Sequence, residues 1–418
     1  MKPKTKHTLT PKLRFPEFRD MGGWEDKTLG KFITERNQSP EENVPLFSLT
    51  IENGITQKTE RYERSFLVKN EEGAYKLVLP DDFAYNPMNL RFGAIARHSG
   101  VEKVALSKYY NIFYCNESVD SRFCEHYFKS DYMIKFYDNM ATGSLIEKRR
   151  VHFKDFLKFN IRFPTLPEQQ KIAACLTSLD DLITAHSHKL AALRAYKTGL
   201  LQQLFPSEGE TVPKLRFPEF RGQGGWEVRK LGDVCEKIMD GTHFSPKSNS
   251  GPRMYLTSKN IQNGIIDLSN VSYITEEEHR QIYDKCPVKK NDLLLTKDGA
   301  NTGNCALNNI AVEFSLLSSV AVLRGNPLIL EQNFLYQAIL SDKIQRLIQE
   351  SMSGQAITRI TLKKIGNFSI SMTSLEEQQK IATFLTTLDD QIAAQAAKID
   401  ALKEHKKGLL QQLFPTNN

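Results

Sequence analysis

Two stretches of the chain carry the same long helical pattern of apolar positions. Leu166–Pro206 and Leu375–Pro415 are near repeats, and apolar residues recur in each at alternating steps of four and three. The apolar positions are Ile172, Leu176, Leu179, Ile183, Leu190, Leu193, Leu200 and Leu204 in the first stretch, and Ile381, Leu385, Leu388, Ile392, Ile399, Leu402, Leu409 and Leu413 in the second. Such a heptad pattern predicts two helices, each roughly 55 Å long.

Polar residues interrupt both patterns at the same two places, His186 with Gln395 and Lys197 with Lys406. One such helix alone would leave an apolar stripe in water. The matching lengths and interruptions favour burial of each stripe against the other helix, as a two-stranded coiled coil within one chain. The alternative is that each helix belongs to the core of its own globular domain.

A second repeat precedes each helix at a distance. The octapeptide PKLRFPEF occurs at Pro11–Phe18 and again at Pro213–Phe220, and a Trp-Glu pair follows each copy, at Trp24 and Trp226. The chain therefore predicts four segments. They are a first domain (1–165), a first helical spacer (166–206), a second domain (207–373) and a second helical spacer (374–418).

The two intervening regions share an outline but almost no sequence. Each carries strand-like apolar runs and then a helical stretch, near Ser121–Met140 and Leu330–Ser351. A polar loop with glycine follows, and a short strand closes each region, at Phe159–Phe163 and Phe368–Met372. We therefore expect an α+β protein with two α/β domains separated by two long helices. Constant struts with variable domains suit a protein that holds two different recognition domains.

Composition bounds the class of protein. The 418 residues are enough for two or three domains, and the formal net charge of +7 permits a nucleic-acid partner without requiring one. The six cysteines form no CxxC pair, which is typical of reduced thiols in a cytoplasmic protein. No apolar run follows the basic N-terminus and none approaches 18 residues, so we expect neither a signal peptide nor a membrane partner.

A search for catalytic motifs finds none. The sequence lacks a P-loop, an HExxH motif, a GxSxG elbow and any Cys/His cluster with zinc spacing. Asn86-Pro87-Met88 lacks the second proline and the aromatic residue of an adenine methyltransferase motif and is interpreted as a turn. The pairs Asp180-Asp181 and Asp389-Asp390 predict a solvated helix face, and their repetition suggests a docking role.

Candidate DNA contacts are loops in which basic residues stand beside small polar ones. Arg can contact guanine bidentately, Gln or Asn can contact adenine, and Ser, Thr and Lys suit phosphates. The alternative for any single one of these residues is a solvated surface charge. In the first region the candidates are Arg91, Arg97, His98, Ser144, Lys148, Arg149 and Arg150; in the second they are Lys297, Asn301, Thr302, Gln355, Thr358 and Arg359.

The repeated EQQKIA, LDD and GLLQQLFP motifs, alternating with two variable regions, resemble the specificity subunit of type I restriction–modification enzymes. The resemblance covers essentially the whole chain. It implies two target recognition domains, each reading one half of an asymmetric bipartite site in double-stranded DNA. The helices would pair antiparallel, set the half-site spacing and dock two modification methyltransferase subunits, which restriction (motor and nuclease) subunits would join. No cofactor is implied in this chain, because S-adenosylmethionine, ATP and Mg²⁺ would be bound by the partner subunits.

Two other hypotheses stay open at this point. A stand-alone, two-headed, sequence-specific DNA-binding protein would bind DNA tightly without a partner, but it would have no reason to keep the LDD and QQLF motifs twice. An enzyme with an unrecognised active site would be active as the isolated chain.

Overall fold

The computed structural model describes residues 10–57, 73–143, 149–248, 250–352 and 359–415. The chain divides into two compact units, each of which mixes helices with small β-sheets. Met1–His186 and Lys398–Asn418 form the first unit, and Ser187–Ala397 form the second. Both borders fall inside the long helices, which the four-segment division kept whole.

The described part of the first unit contains ten short strands. They are β1 (Glu25–Thr28), β2 (Ile33–Glu35), β3 (Phe47–Thr50), β4 (Gly54–Gln57), β5 (Tyr75–Val78), β6 (Phe83–Tyr85), β7 (Ile95–Arg97), β8 (Val104–Ser107), β9 (Asn111–Cys115) and β10 (Asn160–Phe163).

The central sheet of the first unit has the strand order β2-β9-β6-β7, with every pairing antiparallel. Its strand β6 is buried along its whole length. Phe83 and Tyr85 join an aromatic core with the helices, whereas Ala84 packs in a second cluster with side chains of β3, β5 and β8. A strand covered on both faces reads as a continuous apolar run, as the sequence does here. The pairs β1–β10, β3–β4 and β5–β8 complete the unit.

The helical stretch predicted near 121–140 is two helices, α1 (Ser121–Phe128) and α2 (Asp131–Met140). Ser130 separates them because its backbone is extended and its hydroxyl accepts a hydrogen bond from the Met133 amide, which makes it the N-cap of α2. A short helix α3 (Phe153–Phe156) follows, and then the long helix α4 (Leu166–Leu204).

The second unit has the same kinds of element as the first, and only its smaller sheets pair their strands differently. They are, in chain order, β11 (Glu227–Lys230), α5 (Leu231–Val234), β12 (Cys235–Asp240), β13 (Arg253–Leu256), β14 (Ile261–Gln262), β15 (Ile265–Ile266), β16 (Ser272–Ile274), α6 (Glu276–Tyr283), β17 (Leu293–Thr296), β18 (Cys305–Leu307), β19 (Ser315–Leu316), β20 (Val320–Gly325), α7 (Gln332–Leu340), α8 (Asp342–Met352), α9 (Leu362–Gly366), β21 (Ser369–Met372) and the long helix α10 (Leu375–Leu413).

The central sheet of the second unit has the order β12-β20-β17-β18, again with every pairing antiparallel. A second sheet, β16-β13-β19, contains the parallel pair β13–β19. The helical stretch predicted near 330–351 is also divided, because the backbone of Ser341 is extended between α7 and α8.

The sixteen apolar heptad positions predicted from the sequence, which we call the seam, lie on the solvent-protected face of the two long helices. All of its positions are buried or half-buried. In the first unit Ile172 and Leu176 pack in one core cluster with Leu413, and in the second unit Leu200 packs in one cluster with Leu385. Each unit's hydrophobic core therefore includes part of both long helices.

Candidate nucleic-acid interface

Two loops meet at one edge of the central sheet in the first unit. The loop 86–94 follows β6 and closes on itself through the Asn86 amide, which donates to the Ala94 carbonyl at 3.0 Å. Thr142 and Arg150 form a β-bridge, and the next residue, Val151, lies against the loop, since its amide donates to the Pro87 carbonyl at 3.0 Å. The sequence grouped these loops only by composition, and the structure brings them into contact.

The second unit builds the same edge from different residues. The loop 296–304 follows β17, and the Thr296 amide donates to the Asn304 carbonyl at 2.8 Å. The Ile360 amide donates to the Lys297 carbonyl at 2.8 Å, and Asp298 and Arg359 form a β-bridge. We call these two surfaces, 86–94 with 141–143 and 149–151, and 296–304 with 359–360, the reading edges.

A glycine in the left-handed region shapes each loop. Gly93 has a φ of 89° and Gly303 has a φ of 100°. Residues with a Cβ atom rarely adopt this conformation, so both positions favour glycine.

Two arginines of the first reading edge share one carboxylate. Arg91 Nη1 and Arg149 Nη1 lie 3.4 and 3.6 Å from Asp138 Oδ1 in α2. Arg149 also donates to the backbone carbonyls of Asp138 and Ala141, at 2.5 and 2.9 Å. Arg150 is exposed beside them. Three guanidinium groups with one carboxylate leave this edge positively charged.

Two other candidates of the first unit lie at the opposite end of the same sheet. Arg97 ends β7 and donates to Glu125 at 2.8 Å and to Asp81 at 2.6 Å. His98 is buried, and its Nε2 lies 2.7 Å from the Glu102 carbonyl oxygen. The structure therefore separates these two residues from Arg91, although they are near it in sequence.

The candidates of the second unit differ in how far they reach solvent. Lys297 is only 1% exposed, and its ammonium lies 3.1 Å from Asp240. The Thr302 hydroxyl donates to the Gly299 carbonyl at 2.7 Å, and the Asn301 amide donates to the Ser258 carbonyl at 3.4 Å. These three side chains hold the loops in place.

Arg359 is a solvent-exposed basic residue of this edge, unlike the buried Lys297. Its side chain is 45% exposed and lies 3.8 Å from the carboxylate of Asp298. Four further candidates, Ser144, Lys148, Gln355 and Thr358, lie outside the described residues.

Sequence reasoning missed a third loop of the second unit, 241–248. The Ser318 amide donates to the Thr242 carbonyl at 2.8 Å, and the Lys297 amide donates to the Ser319 carbonyl at 2.9 Å, so this loop adjoins the second reading edge. A Cβ atom at Gly241 would lie 1.9 Å from the Leu316 carbonyl oxygen, so only glycine fits there. A glycine followed by His243 and Phe244, directly after a strand, was the available signal.

Ion pairs anchor both long helices in their units. The guanidinium of Arg14 donates twice to Glu168, at 2.7 and 2.6 Å, and Arg216 donates twice to Glu377, at 2.8 Å each. Each PKLRFPEF copy therefore secures the start of one long helix.

His126 of α1 is a buried titratable residue of the first unit. Its burial is the main cause, and the nearby charge of Lys406 the second cause, that lowers the pKa of its imidazole to about 3.

The two LDD motifs divide their aspartates between two roles. Asp180 lies 2.5 Å from the ammonium of Lys406, and Asp389 lies 2.6 Å from that of Lys197. Asp181 and Asp390 are exposed. The first aspartate of each motif thus binds the lysine that interrupts the opposite seam, and the second is available to a partner.

Within the described ranges, no three His, Cys, Asp or Glu side chains are grouped so that they could hold a metal ion. Among the same residues, no helix has the length and apolar character needed to cross a membrane.

Comparison with known proteins places the chain in a family. The model described as "Type I restriction modification DNA specificity domain" matches residues 92–195 and 223–404, which is more than half of the chain. The specificity subunit of the type I restriction enzyme MjaVIII of Methanocaldococcus jannaschii is 26% identical over 51% of this chain and 47% of its own length, so the chain spans about half of that relative.

Two further proteins align more widely. The MjaIX specificity subunit of the same organism is 21% identical over 71% of this chain and 69% of its own length. The crystal structure of the S subunit of a type I restriction–modification system from M. genitalium superposes with a TM-score of 0.61 at 16% identity, covering 98% of this chain and 100% of that one. Its likeness to this chain is one of fold. On the family match, the chain belongs to the type I restriction modification DNA specificity domain family.

Proposed function

We propose that this chain is the DNA-sequence-recognition subunit of a type I restriction–modification complex and is not itself catalytic. Family membership supports the assignment, and the repeated pair of reading edges is the single observation that carries it. The same two-loop construction occurs in each unit, yet the side chains differ, with Arg91, Arg149 and Arg150 at one edge and Arg359 at the other.

Each reading edge would bind one half of a bipartite site in double-stranded DNA. Because the side chains of the two edges differ, the half-sites should differ, and the whole site should be asymmetric. Arg150 and Arg359 are the described candidates best placed to reach DNA, since both are exposed. Lys297 and His98 are buried, and their contribution would be to position loops.

The long helices would pair as an antiparallel coiled coil that sets the spacing between half-sites. The ion pairs support this direction. A step of 17 residues forward along α4, from Asp180 to Lys197, corresponds to a step of 17 residues backward along α10, from Lys406 to Asp389. Only antiparallel helices keep such a register. The pairing would also explain why lysine is tolerated within each seam.

Two modification methyltransferase subunits would dock on the repeated helix surfaces, and restriction subunits would join them. The exposed Asp181 and Asp390 support a repeated docking surface, because they occur at the same place in both copies. S-adenosylmethionine, ATP and Mg²⁺ would be bound by those partners. This chain would contribute recognition alone.

Purification with and without the modification subunit, followed by gel shifts on genomic fragments, tests the proposal. We expect the chain to elute with two modification subunits and this complex to select particular fragments at moderate salt. Equally tight and selective binding by the chain alone, with no partner eluting alongside it, would indicate a stand-alone DNA-binding protein. Modification by the isolated chain would contradict the non-catalytic role.

A further inference from the structure

One exposed aromatic side chain stands on the first reading edge, and another stands on the loop that adjoins the second. Phe92 belongs to a turn of 3₁₀ helix, Leu90–Phe92, within the loop 86–94, and its side chain is 53% exposed. Phe244 lies in the loop 241–248 and is 80% exposed. A partner bound at these surfaces would bury both rings, and burial of aromatic surface is favourable.

The environment of Phe92 suits a nucleobase. The guanidinium carbon of Arg91 lies 4.4 Å from the centre of the Phe92 ring, and the Arg91 side chain is itself mostly buried. The ring is thus supported by a fixed cation. Arg149, which shares the Asp138 carboxylate with Arg91, and the exposed Arg150 would attract the phosphates that flank a stacked base.

The backbone holds this ring outward. Leu90 is fully buried and anchors the turn, and the amide of Gly93, in the left-handed region, donates to the Leu90 carbonyl at 2.8 Å. Phe92 projects between these two fixed points. The ring is therefore presented with little freedom, which reduces the entropy lost when it binds.

Phe244 reaches the second reading edge by another route. The equivalent loop of the second unit, 296–304, offers the buried Thr302 near its closing glycine. The aromatic ring comes instead from the loop that follows β12. Both β12 and β17 pair antiparallel with β20, so their C-terminal ends lie at the same edge of the sheet.

We propose that Phe92 and Phe244 are base-contacting residues, each stacking on or wedging between bases of the half-site bound by its own unit. The proposal rests on the proposed function and adds to it a class of contact that the two half-sites share. Aromatic and apolar side chains of this kind stack on exposed bases or partly unstack a base step. Recognition would then combine cationic contacts from the arginines with stacking at one position in each half-site.

Selection from a pool of DNA duplexes with a randomised central segment tests the proposal. The protein is the complex of the full chain with its modification subunits, as wild type and as Phe92→Ala, Phe92→Leu and Phe244→Ala. Sequencing of bound duplexes gives the base preference at each position. Competition with the wild-type consensus duplex gives relative affinity.

We expect F92A to bind the consensus about 5- to 150-fold more weakly, the range that alanine substitution of base-stacking aromatics covers. Its preference should weaken in one half-site only. F244A should weaken preference in the other half-site. F92L should fall between wild type and F92A, because leucine keeps an apolar wedge but has no aromatic face.

Matched controls lie at the opposite ends of the same sheets. Val101 follows β7 and Leu328 follows β20, and both are highly exposed apolar side chains. V101A and L328A should keep wild-type preference and affinity. Unchanged preference in F92A and F244A would overturn the inference, as would a loss spread equally over both half-sites or a loss of assembly with the modification subunits. A wild-type complex that selects no sequence would instead contradict the proposed function.

Discussion

The ammonium of Lys197 lies 2.6 Å from the carboxylate of Asp389, between two helices whose contact is otherwise largely apolar. The Gln337 amide donates to the other oxygen of that carboxylate at 2.8 Å. Lys197 is buried, so the pair accounts for a charged residue within a hydrophobic seam. In the first unit Lys406 and Asp180 repeat the pair.

Removal of the Asp389 charge should destabilise the second unit. In D389N the Lys197 ammonium would remain buried without its counter-ion, and we expect a loss of about 1–3 kcal/mol in the free energy of unfolding, as for an unsatisfied buried group. The adjacent D390N is the control, because Asp390 is exposed. Urea unfolding followed by circular dichroism measures both. Equal stability of D389N and wild type would show that the ion pair contributes nothing.

Loss of the ion pair between a PKLRFPEF segment and its long helix should reduce the free energy of unfolding more than D389N does. Glu377 is fully buried, and in R216A its carboxylate would lose both charged hydrogen bonds. We expect about 3–5 kcal/mol of destabilisation, which is typical when one partner of a buried ion pair is removed. R14A should act in the same way on the first unit. R221A changes an exposed arginine five residues later and should melt near the wild-type temperature.

Unfolding stability should fall in mildly acidic solution because of His126. Burial lowers the pKa of its imidazole from 6.5 to about 3 in the folded chain. Between these values the unfolded chain binds more protons, so stability is fully present above pH 6.5 and declines as the pH falls below it. From pH 7 to 5 this residue should account for a loss of about 2 kcal/mol.

The variant H126Q isolates this contribution. Glutamine does not titrate, so the difference in unfolding free energy between wild type and H126Q should shift by that amount over the same pH range. A difference that stays constant between pH 7 and 5 would mean that His126 is protonated equally in both states.

Charge at the second reading edge should govern DNA affinity. R359E replaces an exposed cation next to Asp298, and we expect at least a tenfold loss of affinity, about 1.4 kcal/mol, with a shallower salt dependence. Assembly with the modification subunits should persist. R229E, which alters an arginine of β11 whose side chain is 39% exposed, is the control. R359E could instead reduce the yield of the assembled complex, while the complex that still forms binds DNA with wild-type affinity. That result would place Arg359 at a protein interface.

Helix length should set the spacing between half-sites. The register of the ion pairs places Leu190 of α4 opposite the region of Gln395 in α10, so one heptad must be inserted after each of these residues. Seven residues add about 10.5 Å of helix, close to three base pairs. Sites selected by this variant should have a longer gap with unchanged half-sites. An unchanged gap would exclude the helices as the spacer.

Periodicity predicted the long helices well because a heptad repeat is a strong local signal. The helices α4 and α10 begin at Leu166 and Leu375, the first residues of the two repeated stretches. The division of the shorter helices was missed because a single extended serine, Ser130 or Ser341, carries little signal within an apolar pattern. The burial of Lys297 could not be predicted from the sequence either, because its partner Asp240 lies far away in sequence.

The grouping of the reading edges depended on strand order. Arg91 and Arg97 are six residues apart, yet the strand β7 carries Arg97 to the opposite end of the sheet. Asp138 and Phe244 could not be selected from the sequence, because their roles depend on residues of other elements that only the fold brings near them. DNA contact by the candidate side chains remains a prediction.

Mapping of modified bases in cells that express this chain with its modification subunits tests the central claim most directly. We predict modification at one asymmetric sequence, made of two different specific parts separated by an unspecified gap of constant length. F92A and F244A should each relax a different part. Modification at a single uninterrupted or palindromic sequence, or a pattern that does not change when this chain is replaced by another of its family, would contradict the account.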